Sequence, residues 1–205
     1  MRFLDLKTQL QNFPLFSLSD IRTFDPDFDR RRLSEWQAKN YLQMIIRGFY
    51  RFTDTPLNDL TLFFIANKIY QPSYISLEMA LAYYHLIPES VYTITSISSA
   101  KTTTFTTPVG TFAYQSVRPE LLFGITLLPY QDKHLAIGAI EKVILDYFYL
   151  HPELNTSEKI AGLRLNSDEL IRQVSWPKLD QYLQIFQNQA MTRRIHHLKQ
   201  AVLYA

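Results

Sequence analysis

The spacing of apolar residues changes period along this chain, and the change limits the folds open to it. Leu4, Leu6, Leu10 and Phe13 suggest a short first helix that stops at Pro14. At residues 44–52, MIIRGFYRF, β-branched and aromatic residues crowd around Gly48, which predicts two short strands about a tight turn. A helical pattern restarts after Thr53-Asp-Thr-Pro56, gives way to a period of two between residues 91 and 137, and returns from residue 139. This order predicts an α+β chain with a joint near residue 56.

The first 56 residues carry the sharpest local signals. Ser17-Leu-Ser-Asp20 is a capping box that opens a second short helix, through about Arg22. Asp25-Pro26 reads as an N-cap followed by proline at the first helical position, so a third helix is expected over 26–39. Three short helices and then a hairpin is the element order of a winged helix-turn-helix. Projected at 100° per residue, the third helix turns Leu33 and Trp36 inward. Arg31, Ser34, Glu35 and Ala38 then face outward, with Arg30, Arg32 and Lys39 on the flanks. A recognition helix needs this arrangement: short or polar side chains meet base edges while long cations reach phosphates on either side. Arg47 and Arg51 bracket the hairpin tip, where a wing touches the backbone or minor groove.

Residues 57–205 read as a second, mixed α+β domain. Helices are expected at 57–70, at 77–86 with Ser76 as cap, and at 139–150. Strands are expected at Val91–Ile97, Thr103–Thr106, Thr111–Val117, Leu121–Ile125 and Leu135–Ile137, with a turn at Pro108-Val-Gly110. Asn155-Thr-Ser-Glu158 and Asn166-Ser-Asp-Glu169 are further capping boxes, and 177–204 reads as a helical tail.

Charge sharpens the division. The net charge of +2 hides a segment, 30–51, with six cations against Glu35 alone, and an acidic middle, 57–150, of net −2. Such a local basic patch is the electrostatic footprint of a nucleic-acid binder, or else an ordinary solvated face. Arg193, Arg194 and Lys199 form a second basic cluster beside His196 and His197. It reads either as a further DNA contact or as a C-terminal turn favoured by the helix dipole.

Several chemistries are disfavoured. No cysteine is present, which excludes disulfides, thiol nucleophiles and Cys-ligated metals. The five glycines are too scattered for a phosphate-binding loop. Adjacent histidines on a helix diverge by 100°, so His196-His197 is no bidentate metal site. Asp25-x-Asp27-x-Asp29 begins like a calcium loop, but Arg30 and Trp36 stand where glycine and glutamate are needed. Glu141, Lys142 and Asp146 invite an enzymatic reading, but a nuclease pattern needs Glu-x-Lys on a strand and here Glu and Lys are adjacent; a helix N-terminus explains Glu141 more simply, and no enzyme is expected. Neither metal nor cofactor is expected. The longest apolar runs are too short to span a bilayer and MRFLDLKTQL is not patterned as a signal peptide, so a cytoplasmic protein without membrane contact is expected.

Four segments, in order, carry a resemblance. These are RGFYRF (47–52), Tyr74-Ile-Ser-Leu-Glu-Met-Ala-Leu-Ala-Tyr-Tyr-His-Leu-Ile-Pro88, Phe105-Thr-Thr-Pro-Val-Gly-Thr-Phe-Ala-Tyr114 and Leu135-Ala-Ile-Gly-Ala-Ile-Glu-Lys-Val-Ile-Leu-Asp146. Together they resemble the AbiEi family of antitoxin-like transcriptional regulators of abortive-infection (type IV toxin–antitoxin) phage-defence systems, over roughly residues 5–150. Three positions depart from the family pattern: His85 where glycine is common, Gly138 where proline is frequent, and Val143 in place of alanine. The segment before the third helix is acidic here, through Asp25, Asp27 and Asp29.

The resemblance implies a winged helix that binds inverted repeats in its own promoter and represses the operon. It implies a C-terminal domain with antitoxin activity against a nucleotidyltransferase-like toxin, without a stable complex. On this reading the 26–39 helix enters the major groove of double-stranded DNA with Arg31, Ser34 and Glu35 near base edges. Arg30, Arg32, Lys39, Arg47 and Arg51 then position it on phosphates, and Arg193, Arg194 and Lys199 are secondary contacts. A protein-binding winged helix, without DNA, is the alternative, and an enzyme centred on Glu141 is a third reading.

Overall fold

Ser17 and Asp20 exchange the hydrogen bonds their spacing predicts: the Ser17 amide donates to the Asp20 carboxylate (2.7 Å), and the Asp20 amide donates to Ser17 Oγ (3.3 Å). In the computed structural model, which describes residues 1–203, this box opens helix α2 (Leu18–Phe24). Tyr204 and Ala205, the end of the expected tail, lie outside the described residues. Before α2 come α1 (Phe3–Leu10) and β1 (Phe16–Ser17); after it come α3 (Arg31–Ala38), β2 (Leu42–Ile46) and β3 (Phe49–Phe52). The three strands form an antiparallel sheet in the order β1-β3-β2. Leu6, Leu10, Phe16, Ile21, Phe28, Leu33, Trp36, Leu42, Tyr50 and Phe52 bury one another as a separate core.

The third helix is shorter than its sequence signals suggest. Asp25 and Pro26 do not start it: the Asp25 amide closes α2 onto the Ile21 carbonyl (3.0 Å), and the Asp25 carboxylate takes the Met1 amine (3.0 Å). Phe28 is drawn into the core against Trp36, ring centroids 5.6 Å apart, which holds 25–30 as a turn. The helix begins only at Arg31, whose amide donates to the Asp29 carboxylate (3.0 Å). The expected 26–39 helix is therefore the eight-residue α3.

Strand β2 carries a bulge. Met44 pairs with Tyr50 and Ile46 with Phe49, leaving Ile45 out of the ladder. Ile45 is buried in the second, larger core together with Leu15. The two cores therefore meet through the first sheet and the loop that enters it.

The larger unit comprises α4 (Asp59–Ile69), β4 (Ser73–Ile75), α5 (Leu77–Tyr83), β5 (Thr93–Ser98), β6 (Thr103–Thr107), β7 (Gly110–Ser116), β8 (Ile125–Tyr130) and β9 (Lys133–Gly138). It continues with α6 (Ile140–Leu150), α7 (Ser157–Ala161), α8 (Ser167–Gln173), α9 (Trp176–Phe186) and α10 (Gln189–Leu203). Its six-stranded sheet runs β6-β7-β5-β4-β9-β8. The β5/β7 and β4/β9 pairs are parallel and the other neighbours antiparallel. The chain is thus α+β. Asn58, Thr156 and Asn166 cap α4, α7 and α8 with their side chains, so the 155–158 box caps one residue later than expected. The tail is two helices, broken where Gln187 adopts left-handed backbone (φ 48°). The strand expected at Leu121–Ile125 is absent. Pro119–Leu121 is a single 3-10 turn, and Gly124 bends the chain (φ 63°) where a Cβ would come within 2.8 Å of the Tyr182 ring, so β8 starts at Ile125.

The backbone at His85, Gly138 and Val143 has local explanations. His85 sits at φ 58° just beyond α5, with its amide on the Ala82 carbonyl and the Leu86 amide on the Leu81 carbonyl. That left-handed helix stop favours glycine. A Cβ on Gly138 would lie 2.9 Å from Val143 Cγ2, so the bare backbone at 138 accommodates the branched side chain at 143. Gly138→Ala is therefore expected to lower stability by about 1–3 kcal/mol through overpacking. In urea melts, Gly138→Ala/Val143→Ala should be markedly more stable than the two single losses added together. Strict additivity would show that the two positions do not compete for space.

Candidate nucleic-acid interface

Helix α3 presents two unlike faces. Leu33 and Trp36 are buried, with Trp36 edge-on to Phe3 and tilted against Phe28. Arg30, Arg31, Arg32, Ser34, Glu35, Ala38 and Lys39 are all exposed. Arg47 is exposed beside Gly48, whose φ of 92° makes the hairpin turn. The outward residues of the helical projection thus lie on the surface, next to the hairpin in sequence.

Their electrostatics differ. Among the described residues, no side-chain partner is seen for Arg30, Lys39 or Arg47. Arg31 is held by Asp29, with Nε to both carboxylate oxygens (3.2 and 3.1 Å) and a terminal nitrogen at 2.9 Å. That hydrogen bonding holds the Asp29 carboxyl below the usual range and pushes the Arg31 guanidinium up. Arg32 donates to the Met1 carbonyl (2.6 Å).

Three expected contacts are placed differently. Arg51 is 4% exposed: its guanidinium is taken by Gln43 Oε1 and the Thr55 carbonyl, and desolvation pushes its pKa down. It fastens the hairpin to the segment after it and cannot reach a phosphate. Arg194 is likewise buried, donating to the Phe148 carbonyl (3.0 Å), because the second basic cluster lies on α10 where it packs against α6. Lys199 is paired with Asp180 (2.6 Å), leaving Arg193 as the exposed arginine of that cluster.

The charged residues of α6 form a different kind of site. Glu141, Lys142 and Asp146 are all buried, with Glu141 in the first turn of α6. Lys142 Nζ pairs with Asp146 one turn on and donates to the Tyr74 hydroxyl (2.9 Å). Asp146 accepts from the Tyr74 hydroxyl (2.8 Å) and Ser76 Oγ (2.9 Å), so Ser76 ties into this cluster and does not cap α5 with its side chain. Rings of Phe123 and Phe186 lie 5.0 and 5.1 Å from the ammonium. Desolvation pushes Lys142 down and Asp146 and Tyr74 up, while the ion pair opposes the first two shifts. Glu141 accepts the Ser175 amide (3.0 Å) and pairs with Lys178 (2.9 Å). The cluster joins the segment around Tyr74 and Ser76 to α6, about seventy residues on. Its signal in the sequence was the four-residue spacing of Lys142 and Asp146 inside an apolar helix.

Removing one partner of this pair strands the other as a buried charge. Lys142→Met or Asp146→Ala is expected to cost about 3–5 kcal/mol each, and Lys142→Met/Asp146→Leu much less than their sum. Urea denaturation checks this; a single variant as stable as wild type would contradict it.

No family model matches this chain, and no curated protein matches it significantly.

Proposed function

We propose that this chain is a DNA-binding antitoxin and transcriptional autorepressor of the AbiEi kind, working in the cytoplasm without a cofactor. Residues 1–56 act as a winged helix-turn-helix and residues 57–205 as the antitoxin domain. The observation that carries the reading is a set of exposed cations, Arg30, Arg31, Arg32 and Lys39 along and beside a helix pinned by Leu33 and Trp36, with Arg47 exposed at the hairpin turn that follows it. The element order helix, strand, helix, helix, strand, strand supports it, with β3 between β1 and β2. So does the meeting of Tyr74 and Ser76 with Lys142 and Asp146, residues of two resembling segments. The charged residues on which an enzymatic reading rested are engaged within the fold.

In this mechanism α3, about 12 Å long at 1.5 Å per residue, lies in the major groove, with Ser34 and Glu35 towards base edges. Arg30, Arg32, Lys39 and Arg47 hold phosphates. Arg31 exchanges its Asp29 partner for DNA, so the acidic turn before the helix tempers affinity. The double-stranded target is an inverted repeat in the chain's own promoter. The toxin is a nucleotidyltransferase-like protein countered without a stable complex.

Gel shifts on the upstream region across a salt series test the DNA assignment. Arg31→Ala and Arg47→Ala should each flatten the log–log salt slope by about 0.9. Arg51→Gln should lower stability and leave the slope unchanged. Undiminished binding by both alanine variants would sink the assignment, and a shallow wild-type slope would favour a protein partner. Asp29→Ala should tighten binding about two- to fivefold, the range of an exposed ion pair; weaker binding would give Asp29 a positioning role instead. Co-expression with a neighbouring nucleotidyltransferase-like reading frame should restore growth that the frame alone arrests.

A further inference from the structure

A cleft of about 540 Å³ opens on the larger unit, between the start of α4, the end of α5 and the loop that leads to β5. Its walls combine two chemistries. Tyr83 and Tyr92 supply aromatic surface over the buried Phe63 ring, and Asp59 and Glu89 supply carboxylates. Among the described residues no lysine or arginine lines it, and His85 is the basic residue on its wall. Among the described residues, neither Asp59 nor Glu89 has an ion-pair partner.

The aromatic wall is unusually open. Tyr92 is 87% exposed and Tyr83 38%, although apolar rings gain nothing from water. Tyr83 is nevertheless fixed: it stands edge-on to Phe63 (5.9 Å) and to Tyr84 (5.2 Å), and the Tyr84 hydroxyl is anchored on the Gly138 carbonyl (2.9 Å). Burial, joined by Glu78, Glu153 and Glu89, pushes the Tyr147 phenol up, so Glu89 acts there in concert with other carboxylates.

Ring faces carry negative potential and attract cations, most strongly where carboxylates stand beside them. From the open rings, the unpaired carboxylates and the lack of a competing lysine or arginine, we infer that this cleft binds an organic cation. The fitting group is an ammonium or guanidinium on a flexible alkyl stem: the stem lies along the half-buried Leu62 and Val91 while the charge sits between the tyrosines and the carboxylates. The same chemistry is carried by a free polyamine and by a basic side chain of another protein. The inference is independent of DNA binding, since the cleft shares no residue with α3 or the hairpin.

The test is a titration of the full chain followed by NMR of the aromatic rings and backbone amides. Putrescine should shift the Tyr83 and Tyr92 ring signals and the Ser90 amide, saturating at about millimolar concentration. 1,4-Butanediol, the same length without charge, should not. Glu89→Gln, on an exposed loop, should weaken binding about fivefold, and Asp59→Asn/Glu89→Gln further. Equal response to butanediol, unchanged binding by the double variant, or no shift with putrescine at about a hundred times the expected concentration would overturn the inference. An N-acetyl-arginine methylamide arm separates the two sources. Tighter putrescine binding assigns the cleft to a free polyamine, and tighter arginine binding to a partner's side chain; each is a form of the proposal.

Discussion

The buried pair of Lys142 and Asp146 is the interaction on which most of the larger unit depends. A charge removed from water is tolerated only with its partners in place, and here those partners come from distant parts of the chain. Tyr74 and Ser76 flank the end of β4, Phe123 precedes β8, and Phe186 ends α9. One residue earlier, Glu141 holds the start of α9 through the Ser175 amide and Lys178. A single turn of α6 thus fixes the sheet, a loop and the helical tail to one another. An apolar substitute could fill the space, but it would not demand that all these elements arrive together.

The surface of the smaller unit follows a different logic. Its core is largely aromatic and aliphatic, with Trp36 as the inward anchor of α3. The cations are left outside, and those the fold needs are withdrawn: Arg51 is spent on Gln43 and Thr55, as Arg194 is on the Phe148 carbonyl in the larger unit. Counting cations along the sequence therefore overstates the basic surface, because an arginine that satisfies buried carbonyls no longer has a free guanidinium.

Much of this was legible in the sequence, and the rest was hidden for identifiable reasons. The Ser17–Asp20 box, the Gly48 turn and the inward Leu33 and Trp36 rest on local spacing, and local spacing decides them. Asp25-Pro26 carries an equally good local signal for a helix start, but burial of Phe28 outweighs it. Strands β1 and β4 have two and three residues, too few for alternation to register. The burial of Glu141, Lys142 and Asp146 was hidden because reading it required knowing that Tyr74 and Ser76 would be opposite. The sequence places those residues about seventy positions away, and no periodicity reports on such a pairing.

Ile45, the residue left out of the hairpin ladder, sets the freedom of that hairpin. Two residues before the exposed Arg47, the strand is nailed into the neighbouring core. A hairpin tip anchored so close to its end is not a loose arm that settles on contact. Its heading is decided when the chain folds, so the entropy of aiming it is lost once, at folding, and not again at each encounter. The spare residue thus makes one unit the mount for an exposed charge of the other.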